Sequence, residues 1–258
     1  MRRGAPVLIA DSVSVSLGGR AIVSSVSARF EPGRLIGLVG ANGAGKSTLM
    51  RALAGLIDPV AGSITLDGTC LSAIPARERA RRIAYLPQGH EAHWPLEVRH
   101  LVALGRLPHL TGLRRMSGED EAAIDQAMEE AEIESLKGRT VSTLSGGERA
   151  RVMLARALAA DAPVLLADEP IAALDPYHQL HVMELLQAIA ERGTLVLVVL
   201  HDLTLAARFC SELVVMHDGA LAGQGAPQQV LSDDLLARAF HIAARHGADA
   251  ALIPWTRV

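Results

Sequence analysis

The chain has 258 residues, of which 50% are hydrophobic, 21% charged and 3% aromatic, with a formal net charge of −3. That is a globular composition, long enough for one large domain or a domain with an inserted lobe, and its near-neutral charge gives no reason to expect nucleic acid as the main partner. No run reaches the roughly 18 apolar residues that would span a bilayer, "MRRGAPVLIA" does not read as a signal peptide, and the widely separated Cys70 and Cys210 point to reduced thiols in a cytoplasmic protein.

In chain order, "VSVSL" (13–17) alternates with the period of a half-buried strand, and "GSITLDGTCL" (62–71) puts Asp67-Gly68 where a tight hairpin turn belongs. "ELVVMHDGALAGQG" (212–225) repeats that design around Asp218-Gly219. The short apolar runs "LIGLV" (35–39), "VLLA" (164–167) and "LVLVVL" (195–200) read as parallel strands buried on both faces. "RERARR" (77–82) reads as a solvated helix face. From about 89 to 160 the pattern is helical, with a start at "SGED" (117–120) and a solvated amphipathic helix in "EDEAAIDQAMEEAEIE" (119–134). The expectation is an α/β chain forming a single domain over 1–258: a sheet-based core with an antiparallel subdomain over 1–88 and 161–258, and an inserted helical lobe over 89–160.

Three stretches carry chemistry. "GANGAGKST" (40–48) fits G-x-x-x-x-G-K-[ST], follows an apolar strand and precedes the helix-forming "LMRALAGL". That is the context of a phosphate loop, whose glycines let backbone N–H groups face one concavity at a helix N-terminus. The loop residues Gly40, Asn42, Gly43, Ala44, Gly45, Lys46, Ser47 and Thr48 would surround the phosphates, with Lys46 bridging the outer ones and Ser47 ligating magnesium. "LLADEP" (165–170) ends an apolar strand in two adjacent carboxylates. Since neighbouring strand residues point to opposite sides, Asp168 would hold the magnesium and Glu169 would polarise a water attacking the γ-phosphate; a surface turn is the plainer alternative. "LSGGE" (144–148) opens a helix. Ser145 and Glu148 have capping-box spacing, but Ser145, Gly146 and Gly147 also present a hydroxyl and N–H groups to an anion. One nucleotide hardly needs two such grips from one chain, which suggests two chains meeting head to tail.

With these motifs the sequence resembles the ATP-binding-cassette ATPases over essentially its whole length. The family's ordered set is present: Walker A at 40–48, a glutamine loop at "YLPQ" (85–88), the signature at 144–148, Walker B at 164–169, a D-loop at "AALD" (172–175) and a switch histidine at "LHD" (200–202). The resemblance implies a RecA-like phosphate-loop NTPase core that binds ATP and Mg2+. It implies that Gln88 approaches the metal and the attacking water, that His201 contacts the γ-phosphate, and that Asp175 lies at the interface of a homodimer. Two positions depart from the pattern: Leu17 stands where many relatives stack an aromatic on adenine, and Ala172 stands where many carry serine. The pairs His178/His181 and His90/His93 lack an evident third metal ligand and read as ordinary polar positions.

Fold does not settle function. A phosphate-loop kinase would leave the signature and switch histidine without purpose. DNA-acting cassettes are split by a long coiled coil and ribosome-acting ones are doubled, neither of which is seen here. "WPLEVRHLVALGRLPHL" (94–110) resembles the "TVxELVALGRxPH" segment of importer ATPases for iron–siderophore, haem and cobalamin uptake, and 117–133 continues that likeness. The resemblance implies an importer subunit at the cytoplasmic face of the inner membrane, attached through transmembrane permease subunits and served indirectly by a substrate-binding protein. An ATPase of another transporter type with separate membrane subunits, and a soluble non-transport cassette ATPase, remain the alternatives.

Overall fold

The structure, a computed structural model, describes residues 6–89, 95–110, 115–246 and 252–257. These form two compact units, Met1–Ile74 with Leu186–Val258, and Pro75–Leu185.

In the first unit, strands Leu8–Leu17 and Arg20–Phe30 pair antiparallel, and Ala61–Leu66 and Thr69–Cys70 extend the sheet on the other side of Leu8–Leu17. Alternation sets the register: Leu8 faces Phe30 and Val13 faces Val26, all four fully buried, so a one-residue slip would turn this apolar set to water. The turns Gly18-Gly19, Asp67-Gly68 and Asp218-Gly219 each hold both central residues at positive φ, the twist that matches a two-residue hairpin. Both anticipated Asp-Gly hairpins are therefore present.

Strands Glu212–His217, Leu35–Gly40 and Leu195–Val199 run parallel, with Ala220–Gly225 added antiparallel to the first. Leu35–Gly40 and Leu195–Val199 are buried at every position, which explains their unbroken apolar runs: covered on both faces, they have no polar side to encode. The phosphate-loop segment leads from Gly40 into the helix Lys46–Leu53, which buries Leu49, Met50 and Leu53. Cys70 and Cys210 are both free thiols, and burial pushes Cys210 up to about 12.

In the second unit, strands Ile83–Leu86 and Val164–Asp168 pair parallel. The helix Val98–Ala103, the 3-10 turn Leu104–Arg106, and the helices Gly118–Glu130 and Gly146–Leu158 pack as a cluster, with Ile124, Met128, Val152 and Met153 buried. Helix Gly118–Glu130 starts at the anticipated place, with a complete capping box between Ser117 and Asp120. It departs from a purely solvated helix in one respect: Asp120, read as part of an acidic face, is 7% exposed. The basic helix Ala76–Arg82 buries no residue, yet Arg77 and Arg81 both donate to the Pro108 carbonyl, at 3.1 and 2.7 Å. Among the described residues no helix is long and apolar enough to cross a membrane. The described residues thus form a mixed α/β fold with both parallel and antiparallel sheet.

Candidate functional site

In the first unit the candidate residues gather at one sheet edge. Leu38 pairs with Val199, and the Leu200 N–H donates to the Leu38 carbonyl at 3.2 Å, so Gly40 and His201 leave adjacent strands at their carboxyl ends, the place where open parallel sheets bind ligands. The loop between Gly40 and Lys46 curls tightly. Gly45 has φ 94, and a Cβ there would lie 2.8 Å from the Ile22 carbonyl oxygen, so a side chain is excluded both by backbone conformation and by the neighbouring strand. The Lys46 side chain folds back over the loop and donates to the carbonyls of Gly40 and Ala41 at 2.7 and 2.9 Å. Lys46 is 6% exposed, and its ammonium, fixed by these two carbonyls, is a positive charge suited to an anion. Ala44 and Thr48 are buried, Ser47 is half-buried, and Asn42 and Gly43 are exposed at the loop tip. His201 is exposed, and the next residue, Asp202, caps helix Leu203–Phe209 by accepting from the N–H groups of Thr204 and Leu205.

In the second unit, Leu86 pairs with Ala167, so Gln88 and Glu169 lie just past matching ends of parallel strands. Asp168 is fully buried, and the Tyr85 hydroxyl donates to its Oδ2 at 3.4 Å. Tyr85 belongs to the glutamine-loop motif, and its position three residues before Gln88 carries no signal of this contact. Glu169 is half-buried and held at φ 53, a left-handed conformation that is uncommon for a residue with a Cβ and that concentrates at functional sites. The two acids thus separate: one closes the strand, the other turns out of it.

Ser145 and Gly146 are exposed at the N-terminus of helix Gly146–Leu158. The capping box forms in full: the Ser145 hydroxyl accepts from the Glu148 N–H at 3.2 Å, and Glu148 Oε2 accepts from the Ser145 N–H at 2.8 Å. Bonds to the carboxyl from the Ser145 N–H and hydroxyl, with Arg139 beside it, hold Glu148 below its usual range. The Ser145 hydroxyl also hydrogen-bonds the Glu148 carboxyl, so an anion arriving at this turn would compete with Glu148 for the hydroxyl proton. Gly147 lies against the D-loop; a Cβ there would meet Leu174 at 3.7 Å and the Ala173 carbonyl at 3.8 Å. Asp175 is exposed and begins helix Pro176–Glu191. Its carboxylate accepts from the His178 N–H at 3.1 Å and lies 2.7 Å from His178 Nδ1, and these bonds lower its pKa. His181 instead contacts the Glu130 carbonyl and Glu132. His90 and His93 lie outside the described residues.

Ser47, Asp168 and Gln88 offer only oxygen donors, namely a hydroxyl, a carboxylate and an amide carbonyl. That set suits a hard cation such as Mg2+ and is poorly matched to metals that favour nitrogen or sulfur.

Comparison with known proteins accords with these features. The cobalamin import ATP-binding protein of Halobacterium salinarum is 44% identical over 240 residues, 93% of this chain, which spans only 60% of that relative's length. The hemin import ATP-binding protein of Pseudomonas entomophila is 41% identical over 92% of this chain and 93% of its own. The dimeric bacterial ABC transporter cassette MJ0796, solved also in a post-hydrolysis state bound to ADP and Pi, superimposes with a TM-score of 0.76 at 26% identity, covering 85% of this chain and 98% of that one. Residues 23–172 match the family described as ABC transporter, and the chain belongs to that family.

Proposed function

We propose that this chain is the ATP-hydrolysing subunit of a membrane importer for an iron chelate, haem or cobalamin. The observation that carries the reading is that the chain bears two anion-ready termini, the curled loop ending at Lys46 in one unit and the exposed, capped Ser145–Gly146 turn in the other. A single bound triphosphate has use for both when two copies meet head to tail, the phosphate loop of one opposite the serine–glycine turn of the other.

In the closed dimer the backbone N–H groups of Gly40 to Thr48, including those of Asn42, Gly43, Ala44 and Gly45, and the Lys46 ammonium grip the phosphates. Ser47, Asp168 and Gln88 would hold Mg2+, which would supply neutralising charge for the phosphates. Glu169 accepts a proton from the attacking water as its oxygen bonds to the γ-phosphorus. The bond to the β–γ bridging oxygen breaks, and ADP leaves with that electron pair. His201 steadies the γ-phosphate; Ser145, Gly146 and Gly147 close over it from the partner; Asp175 lies at the interface. Leu17 provides only an aliphatic surface for the adenine.

ATP binding drives closure because the nucleotide makes contacts in the closed dimer that it lacks in the open one, and hydrolysis and phosphate release reopen it. The helical segment 89–160, inserted in a nucleotide-binding core formed by 1–88 and 161–258, receives a short permease helix and conveys closure to the transmembrane subunits. The chain works at the cytoplasmic face of the inner membrane, peripherally, with a separate substrate-binding protein delivering cargo. The relatives named for cobalamin and hemin import support the cargo class.

The test is uptake by cells lacking the gene. Labelled haem, a ferric siderophore and cobalamin are supplied in turn; uptake of one should fall and return with the wild-type gene but not with Lys46→Ala. Undiminished uptake of all three would reject the cargo class, and wild-type ATP hydrolysis by Lys46→Ala would reject the site.

A further inference from the structure

The last turn of the signature helix Gly146–Leu158 is held by a segment to which the proposed function assigns no chemistry. Arg106 ends the 3-10 turn Leu104–Arg106, and its side chain is 8% exposed. Its Nε donates to Asp120 Oδ1 at 2.9 Å and its Nη1 donates to the Ala159 carbonyl at 2.9 Å. Ala159 is the C-cap of the signature helix, so the guanidinium satisfies a carbonyl with no partner inside the helix and sits at the negative end of its dipole. His109 Nε2 donates to the next carbonyl, that of Ala160, at 2.8 Å. One turn earlier the backbones nearly touch: a Cβ on Gly105 would lie 2.2 Å from the Arg156 carbonyl oxygen, a position only glycine can fill.

The other half of the Arg106 fork is equally fixed. Asp120 Oδ2 accepts from the Ser117 N–H and hydroxyl at 2.9 and 2.8 Å, making Asp120 both the capping-box acid of helix Gly118–Glu130 and the counter-ion of Arg106. One guanidinium therefore joins the start of one helix to the end of another, in a planar fork that serves two acceptors at set angles.

From this arrangement we propose that Arg106, locked by Asp120, is a positioning residue for the signature turn: it fixes the far end of the signature helix and thereby sets where Ser145 stands in the closed dimer. The proposal rests on the reading of Ser145 as a phosphate contact. The helix has 13 residues, a lever of about 20 Å, so a tilt of about 3° at Ala159 moves Ser145 by about 1 Å. A misplacement of that size can cost about a hundredfold in rate. Arg106 touches no nucleotide in this scheme; it acts through the helix.

The experiment uses the full chain carrying Glu169→Gln, so that ATP is retained, and measures two quantities: ATP affinity under dilution to monomer, and the ATP-dependent dimer dissociation constant by sedimentation. Arg106→Gln and Asp120→Asn should each leave monomer ATP affinity within about twofold while weakening the dimer about tenfold or more, and Arg106→Lys, which keeps a cation but cannot serve both acceptors as the planar fork does, should recover only part of that loss. Wild-type dimerisation in both Arg106→Gln and Asp120→Asn would overturn the proposal. So would a fall in monomer ATP affinity in step with dimerisation in both, because a merely destabilised lobe behaves that way. Ser145→Ala is the control for the underlying reading: if it too dimerises like its parent, that reading falls and takes the proposal with it. If Ser145→Ala weakens the dimer while the Arg106 and Asp120 variants do not, the proposal alone is wrong.

Discussion

Asp168 and Glu169 are neighbours in sequence but occupy different environments: Asp168 is the fully buried last residue of a parallel strand, and Glu169 is half-buried and turned out at φ 53. Two adjacent acids at the end of a buried strand therefore divide between a fixed, buried position and a projecting one, which suits the different roles proposed for them. Replacing Glu169 with glutamine keeps the shape and removes the carboxylate proposed as the base. Glu169→Gln should reduce steady-state phosphate release by about a hundredfold or more, within the usual range for a general base, with ATP affinity nearly unchanged. Near-wild-type phosphate release would remove Glu169 from the chemistry.

Leu17 ends the first strand beside the Gly18-Gly19 turn and is 40% exposed. An aromatic ring there could stack on adenine, an interaction worth about 1–3 kcal/mol where measured for bases. Leu17→Tyr should tighten ATP binding by about tenfold, one decade per 1.4 kcal/mol, measured by titration of a fluorescent analogue with ATP in competition. Unchanged affinity would mean that the adenine lies elsewhere.

Much of the fold could be read from the residues because the signal was local. Asp67-Gly68 and Asp218-Gly219 announce their hairpins, and "LIGLV" and "LVLVVL" announce strands covered on both faces. The phosphate loop was equally visible, since its glycines answer steric demands at fixed spacing. What the sequence concealed depends on contacts between distant segments. Asp120 looks like any acid in "EDEAAIDQ", and only its meeting with Arg106, 14 positions away, makes it a buried ion-pair partner. The facing of Tyr85 and Asp168 spans 83 positions, and the left-handed backbone of Glu169 has no compositional mark at all.

Ser145 caps its helix, and the second task proposed for it can be separated from the first by magnitude. Its capping role predicts that Ser145→Ala costs about 1 kcal/mol of stability. Its proposed contact with the partner's nucleotide predicts a loss of hydrolysis about tenfold or more, as for removal of a charge-stabilising donor. Chemical denaturation and phosphate release on the same preparation distinguish them: a small stability loss with unaltered turnover would leave Ser145 as a cap only.

Bonds from the Ser117 N–H and hydroxyl, together with Arg106, hold the Asp120 carboxyl at about 2, below its usual 3.8. A carboxyl whose folded pKa is depressed contributes stability that is fully present above the unfolded value and is lost as pH falls through the folded one. Acidification from about pH 4 to about pH 2 should therefore remove a component of stability that Asp120→Asn has already lost. Denaturation midpoints across that window should fall more steeply for the wild type than for the variant; parallel curves would contradict the assignment.

The composite site is tested most directly by sedimentation of Glu169→Gln with and without ATP, beside the double variant Glu169→Gln/Ser145→Arg. The prediction is a dimer with ATP, a monomer with ADP, and an ATP-loaded monomer for the double variant, whose nucleotide affinity as a monomer is unchanged. A Glu169→Gln chain that binds ATP fully as a monomer, indifferent to the change at Ser145, would contradict the head-to-tail mechanism.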